Sequence, residues 1–395
     1  MRFDSNVFYH PLQVYPVDRM LDEWRQTVKL YDQTGFTGVW IGEHHFWHSG
    51  FHVAAPSPVQ VCTHLASVTE RLRVAQSACI LPDYHPIRLA EELAMLDQMT
   101  RGRLDVGVAR GTNSPACIQF NVDADRRNKE RNYALFKETL DIMIKAWTQD
   151  ALVHEGEFYT FPVPGWTEKD PRIYTGDTSH YGPNGELIGL GVVPKPYQKP
   201  HPPIYQAADS TESYVFAAEK GISVTGFGRT FEGLREAWTA YRDTASRVSG
   251  RELPMGETAN GHTLNIMRMF YMAESQEQAE REAREGINAH YEITFGLSRN
   301  WGRSGAIAKG ESISDEQMNM DWFDFAMSKD VILVGTPETV AEKIERLQTE
   351  LNCRHVTLWP NPSFLPFHKV YRSLELFAER VIPHFERKRA PAPVG

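Results

Sequence analysis

Short apolar runs alternate with longer amphipathic segments along most of this 395-residue chain, and that rhythm constrains its fold more than any other feature. Parallel strands cannot be joined by a tight turn, so a strand–helix–strand rhythm implies repeated βα units around a parallel sheet. Strand runs are read at 7–9, 38–41, 72–81, 103–109, 203–207, 222–225, 262–273 and 355–359. Helical segments are read at 18–33, within 58–69, at 86–99, at 125–147, after Ser210, at 231–248, after Ser275, at 337–351 and at 367–385. Asp18 and Thr336 stand where N-caps belong, Pro86 suits a first helical turn, and Gly35 suits a stop. Eight strands with interleaved helices make an α/β fold, a (β/α)8 TIM barrel, as a single domain over 1–395.

Two segments interrupt the rhythm. Residues 150–203 are rich in Gly, Pro, Tyr and Thr, and 299–330 are polar. Both exceed ordinary βα connections and are read as insertions that cover the barrel mouth, the first carrying short hairpins. The tail at 390–395, with two prolines, is read as a frayed end.

Composition narrows the function classes. Hydrophobic residues at 41% and charged residues at 24% fit a soluble enzyme. The net charge of −9 comes without a basic run, which argues against nucleic acid as a partner. No stretch is long and apolar enough for a bilayer, and the opening Met1-Arg2-Phe3-Asp4 lacks a leader-like apolar core, so no membrane partner and a cytoplasmic location are expected. Cys62, Cys79, Cys117 and Cys353 stand far apart without a CxxC pair, a pattern of reduced thiols.

The chemistry concentrates at strand ends. The string Val39-Trp40-Ile41-Gly42-Glu43-His44-His45-Phe46 is an apolar strand that stops at a carboxylate and two imidazoles. In a barrel the loops at strand C-termini converge on one cavity, so this cluster reads as catalytic or cofactor-binding. Neighbours on an extended strand point to opposite faces, so His44 and His45 do not grip one metal unless the backbone bends. Arg110 follows the fourth strand, where it can hold a phosphate bidentately or make a surface salt bridge, and Gly111 lets the backbone approach closely. In Ala207-Ala208-Asp209-Ser210-Thr211-Glu212-Ser213 a strand runs into a helix, and Ser210 and Ser213 lie one turn apart. Such a start binds phosphate; ordinary capping by Asp209 or Ser210 is the other reading. Phe46, Trp47 and Phe51, with His48 and His52, form an aromatic loop, and Phe8, Trp322 and Trp359 add to that wall. Without a charged cluster beyond the phosphate site, a neutral hydrophobic or aromatic organic substrate is expected.

Taken together, these clusters resemble the bacterial-luciferase-like flavin-dependent monooxygenases. The likeness rests on Glu43-His44-His45-Phe46, Leu81-Pro82 with His85-Pro86, Leu96-Asp97-Gln98-Met99, Gly102-Arg103, Arg110-Gly111, the Asp209-Ser210 helix start and Val334-Gly335-Thr336-Pro337-Glu338. It implies a barrel that binds reduced FMN without a covalent bond. A separate flavin reductase would supply that FMN, and O2 would add to give a flavin C4a-(hydro)peroxide that puts one oxygen atom into the substrate. It also implies His44 as the catalytic histidine; Arg110, Ser210 and Ser213 at the FMN phosphate; Asp209 at the flavin; and a non-prolyl cis peptide at Ser77-Ala78 under the flavin ring. Glu43, Phe46, Trp47, Phe8 and Trp322 are then candidates for the substrate pocket. Two departures stand out: Ala109 where luciferase has a reactive cysteine, which argues against light emission, and Asp209 where luciferase has a glutamate. A homodimer is expected, with the apolar stretch at 62–68 as part of the contact. Other readings of the same residues are a deazaflavin-dependent oxidoreductase, a metal-dependent barrel hydrolase using His44, His45 and Asp209, and a flavin-binding protein without activity.

Overall fold

The structure, a computed structural model, describes residues 1–7, 16–46, 55–111, 116–295, 306–360 and 365–387. Its barrel strands are β1 (Arg2–Asn6), β2 (Gly38–Ile41), β3 (Arg73–Gln76), β4 (Leu104–Ala109), β5 (Ile204–Ala208), β6 (Ser223–Phe227), β7 (Asn265–Met272) and β8 (His355–Pro360). All run parallel, and they form the closed (β/α)8 barrel expected from the rhythm. The chain divides into two compact units, residues 1–78 with 203–395, and residues 79–202.

In the first unit, β1 lies between β8 and β2, with Asp4 opposite Thr357 on one side and Gly38 on the other. The ladder continues from β2 to β3 and runs from β5 through β6 and β7 to β8. Alternation puts every second side chain inside. Trp40, Ala75 and Tyr205 pack there, with the Trp40 and Tyr205 rings edge to face at 5.3 Å. Outward residues meet the helices: Phe3 packs on Phe377 and Phe385 at 5.3 and 5.4 Å. Gly38 is required by close approach, because a Cβ there would lie 2.9 Å from the Asp4 carboxylate.

Strand Leu333–Gly335 extends the end of β7, pairing with Phe270, Tyr271 and Met272. With helices Gln276–Phe295 and Trp322–Ser328 it encloses a second apolar core around Tyr291, Trp322, Phe323 and Ile332. The segment read as a polar cover at 299–330 is therefore partly a buried helix, capped by Asp321; residues 296–305 lie outside the described residues.

In the second unit, Cys79–Ile80 pairs with β4. Helices Pro86–Thr100 and Lys129–Thr148 pack together, with Trp147 Nε1 donating to the Ala90 carbonyl at 2.9 Å. The expected hairpin of the 150–203 insertion is present as His154–Glu155 against Thr160–Phe161. Gln198 ties the insertion down, donating from its backbone and side-chain nitrogens to Asp97 at 2.8 Å each.

Several boundaries move. The first strand ends at Asn6 rather than starting at Val7; Asp4, Ser5 and Asn6 are polar yet buried, which hid it. The 72–81 run splits at the cis Ser77-Ala78 bond. The first helix begins at Val17 after Pro16, with no side-chain cap, so Asp18 lies inside it. The fourth-strand helix begins at Lys129, capped by Asn128, instead of at 125. Cys62, Leu65 and Ala66, read as part of a dimer contact, are buried within the chain itself. All four cysteines are buried, and none is in a disulfide. Among the described residues no helix is long and apolar enough to cross a membrane.

Candidate functional site

β2 ends at Ile41, and the three residues of interest follow at once. Glu43 is buried, and its Oε1 lies 2.8 Å from His45 Nε2. His44, between them, is joined to Ala55 by an antiparallel bridge. Burial, and then the nearby charge of His45, push the His44 pKa down to about 4, so its imidazole is neutral at ordinary pH. Phe46 closes the turn at φ 58°, in the left-handed region, with much of its ring exposed. Phe8 and Trp47 lie outside the described residues.

The barrel mouth opens nearby. Ala207 follows Tyr205 on the inner face of β5 and is exposed, although it belongs to a barrel strand. An exposed methyl at that position marks an open floor above the packed interior. Around the rim, Phe227 at the end of β6 and Trp359 near the end of β8 lie with ring centroids 4.8 Å apart. His290, from helix Gln276–Phe295, sets its ring 4.8 Å from Trp359 and 6.1 Å from Phe227. Burial, then His44, lower its pKa to about 4 as well, which places a second neutral imidazole in the electrostatic range of the first. Sequence reading missed His290; it lies on helix Gln276–Phe295, and nothing in its local pattern marks it. Trp322 instead stacks on Tyr291 at 5.8 Å within the second core.

The helix Thr211–Glu219 starts at Ser210, which occupies the cap position without making a side-chain cap bond. Ordinary capping by Ser210 is thereby set aside. Its Oγ lies 3.2 Å from the Oγ of Ser213, so two hydroxyls meet over the open amide end. Arg229, buried beyond β6, fixes this turn by donating to the carbonyls of Asp209 and Gly233 and to Thr211 Oγ1. Asp209 itself is exposed. Ser77-Ala78 is a cis peptide, as the resemblance implies.

In the second unit, Arg110 lays its guanidinium over the Tyr133 ring, 4.8 Å from the centroid. Asn132 donates to the Arg110 carbonyl at 3.3 Å. Gly111 takes φ +83°, and a Cβ there would lie 2.9 Å from Cys117 Sγ. Among the described residues no three metal-ligating side chains come together, so His44, His45 and Asp209 do not form the metal centre a hydrolase needs.

The comparisons with known proteins agree with this architecture. Residues 1–351 match the family described as luciferase-like monooxygenase, and the chain belongs to that family. Among its relatives, the oxygenase component of the flavin-dependent trigonelline monooxygenase of Acinetobacter baylyi is 26% identical over 98% of this chain and 97% of that protein. The 2,5-diketocamphane 1,2-monooxygenase 1 of Pseudomonas putida is 24% identical over 92% of this chain and 94% of that protein. The oxygenating constituent of 3,6-diketocamphane monooxygenase from Pseudomonas putida, solved in complex with FMN, superposes with a TM-score of 0.72 at 22% identity, over 97% of this chain and 98% of that one.

Proposed function

We propose that this flavin-dependent monooxygenase is the oxygenase component of a two-component system that uses reduced FMN, delivered by a separate flavin reductase, and O2 to oxygenate a neutral, hydrophobic or aromatic organic substrate. The observation that best supports it is the Ser210–Ser213 hydroxyl pair at an uncapped helix start, a donor set suited to one phosphate. Arg110 remains a phosphate contact that the family resemblance alone implies. Asp209 would meet the flavin, and Ser77 and Ala78 would lie under its ring. When bound, reduced FMN supplies the electrons that activate oxygen.

The chain's own residues then bind, orient and exclude water. His44 stays neutral and serves as a hydrogen-bonding imidazole at the reacting centre, rather than as an imidazolium acid. His45 is held by Glu43, which fixes the backbone turn that presents His44. Phe227 and Trp359 form the apolar wall, and Glu43, Phe46, Trp47 and Phe8 remain proposed pocket residues, whereas Trp322 belongs to the second core. The active form is taken as a cytoplasmic homodimer.

The test is to titrate reduced FMN and reduced deazaflavin into the protein under anaerobic conditions, then admit O2 with a flavin reductase present. Tight binding of reduced FMN followed by substrate oxygenation is the expected result. Preference for the deazaflavin, with hydride transfer and no oxygen uptake, would replace this reading. Binding of FMN without oxygen uptake would leave a silent flavoprotein.

A further inference from the structure

Two buried polar atoms on neighbouring strands, Asn6 Oδ1 and Trp359 Nε1, have no hydrogen-bond partner among the described residues. Ser5 pairs with Leu358 in the β1–β8 ladder, so the next residues, Asn6 and Trp359, are register neighbours on the inner face. Neighbouring strands lie about 4.8 Å apart, so the two side chains leave adjacent backbone positions on the same face. Trp359 Nε1 is buried with no hydrogen-bond acceptor among the described residues. Asn6 is 4% exposed; its Nδ2 reaches Met267 Sδ at 3.6 Å, and its Oδ1 has no donor. Only the amide nitrogen can donate to a thioether, so that contact occupies the nitrogen and leaves the oxygen to be met by another donor.

A buried donor and a buried acceptor left unmet cost roughly 1–3 kcal/mol each, and native proteins leave few of them. One hydroxyl, which both accepts and donates, satisfies the two at once. The surroundings define the rest of the guest. Phe227 packs on Trp359 and keeps part of its ring exposed, as does Trp359, while His290 behind them is neutral. Such a wall receives a flat apolar body and offers no counter-charge.

We propose that Asn6 and Trp359 anchor the hydroxyl of a neutral ring substrate, a phenol or cyclic alcohol, whose ring lies against Phe227. Trp359 donates to the hydroxyl oxygen, and the hydroxyl donates to Asn6 Oδ1. The proposal rests on reading the barrel mouth as the substrate side of a flavin site, and it names that substrate's class.

The experiment measures phenol and toluene binding to the full chain by calorimetry and tryptophan fluorescence, with FMN affinity measured separately. Phenol should bind about tenfold tighter than toluene, the factor that one or two neutral hydrogen bonds supply. Trp359→Phe and Asn6→Ala should each bring phenol close to parity with toluene while toluene affinity stays within about twofold. Folding is checked by circular dichroism, and either variant alone suffices. Equal binding of the two probes, or an unchanged phenol preference in the folded variants, overturns the proposal, and a water bridging Asn6 and Trp359 is then what meets the two groups. That failure with FMN still bound leaves the flavin reading standing; phenol preference without FMN affinity does the reverse.

Discussion

Asp4 and His355 meet inside the barrel across 351 residues of sequence, His355 Nε2 lying 2.8 Å from Asp4 Oδ2. Trp40 Nε1 donates to the same oxygen at 2.8 Å, and Arg2 pairs with the carboxylate at 2.6 Å. One buried acid thus joins the last strand to the first and the first to the second, where the barrel closes.

Asp4→Ala should cost about 3–5 kcal/mol, the range for breaking a buried pair and leaving its partners uncompensated. Burial alone would raise the Asp4 pKa, yet Arg2 and His355 hold it well below the usual carboxylate value. A lowered folded pKa stabilises above the unfolded value of 3.8, and that stability is lost as pH falls through the folded one. Thermal melts of both proteins should therefore differ most above pH 5 and converge in strong acid. A gap that stays constant down to pH 2 would count against the assignment.

Ser210→Ala separates phosphate binding from helix capping. A capping serine costs about 0.5–2 kcal/mol when removed, but Ser210 makes no such bond, so the melting temperature should hardly move. Affinity for FMN should fall by about 0.5–1.5 kcal/mol, and Arg110→Ala should lower it by about 1.5–3 kcal/mol. If Ser210→Ala destabilises the fold and leaves FMN affinity unchanged, the hydroxyl belongs to the helix after all.

His44 and His290 supply an acid sensitivity of opposite sign to a salt-bridged histidine. Both have folded pKa values near 4 against 6.5 unfolded, so the unfolded chain binds more protons between those values. Stability should be flat above pH 6.5 and fall as pH drops from 6.5 towards 4. The double variant His44→Gln with His290→Gln should flatten that slope in melts recorded across the window. An unchanged slope would mean that neither imidazole is buried neutral.

For turnover, His44→Ala should reduce substrate oxygenation by about 10²–10⁴-fold, the span of a positioned proton-handling group, with FMN affinity intact. Because the imidazole is already neutral, the ratio of wild-type to variant rates should not change between pH 6.5 and 8. Stopped-flow oxygenation set against hydrogen peroxide release reads both. Normal coupling in the variant would move the chemistry to another residue of the mouth.

The sequence by itself determined the barrel, because the period of apolar runs and the strand-to-helix alternation are local properties of the chain. It also placed the Glu43–His44–His45 string at a strand end and Ser210 with Ser213 one turn apart at a helix start, spacings that backbone geometry alone enforces. Tertiary structure decided which polar groups meet. β1 is hidden from the sequence because Asp4, Ser5 and Asn6 look like loop residues until barrel closure gives Asp4 its partners on β8 and β2. His290 joined the mouth because helix Gln276–Phe295 sets its ring beside Trp359. His44 became neutral because burial outweighs its intrinsic basicity. Each of these depends on contacts between distant segments and on the desolvation that closure brings, and neither quantity is encoded in a window of neighbouring residues.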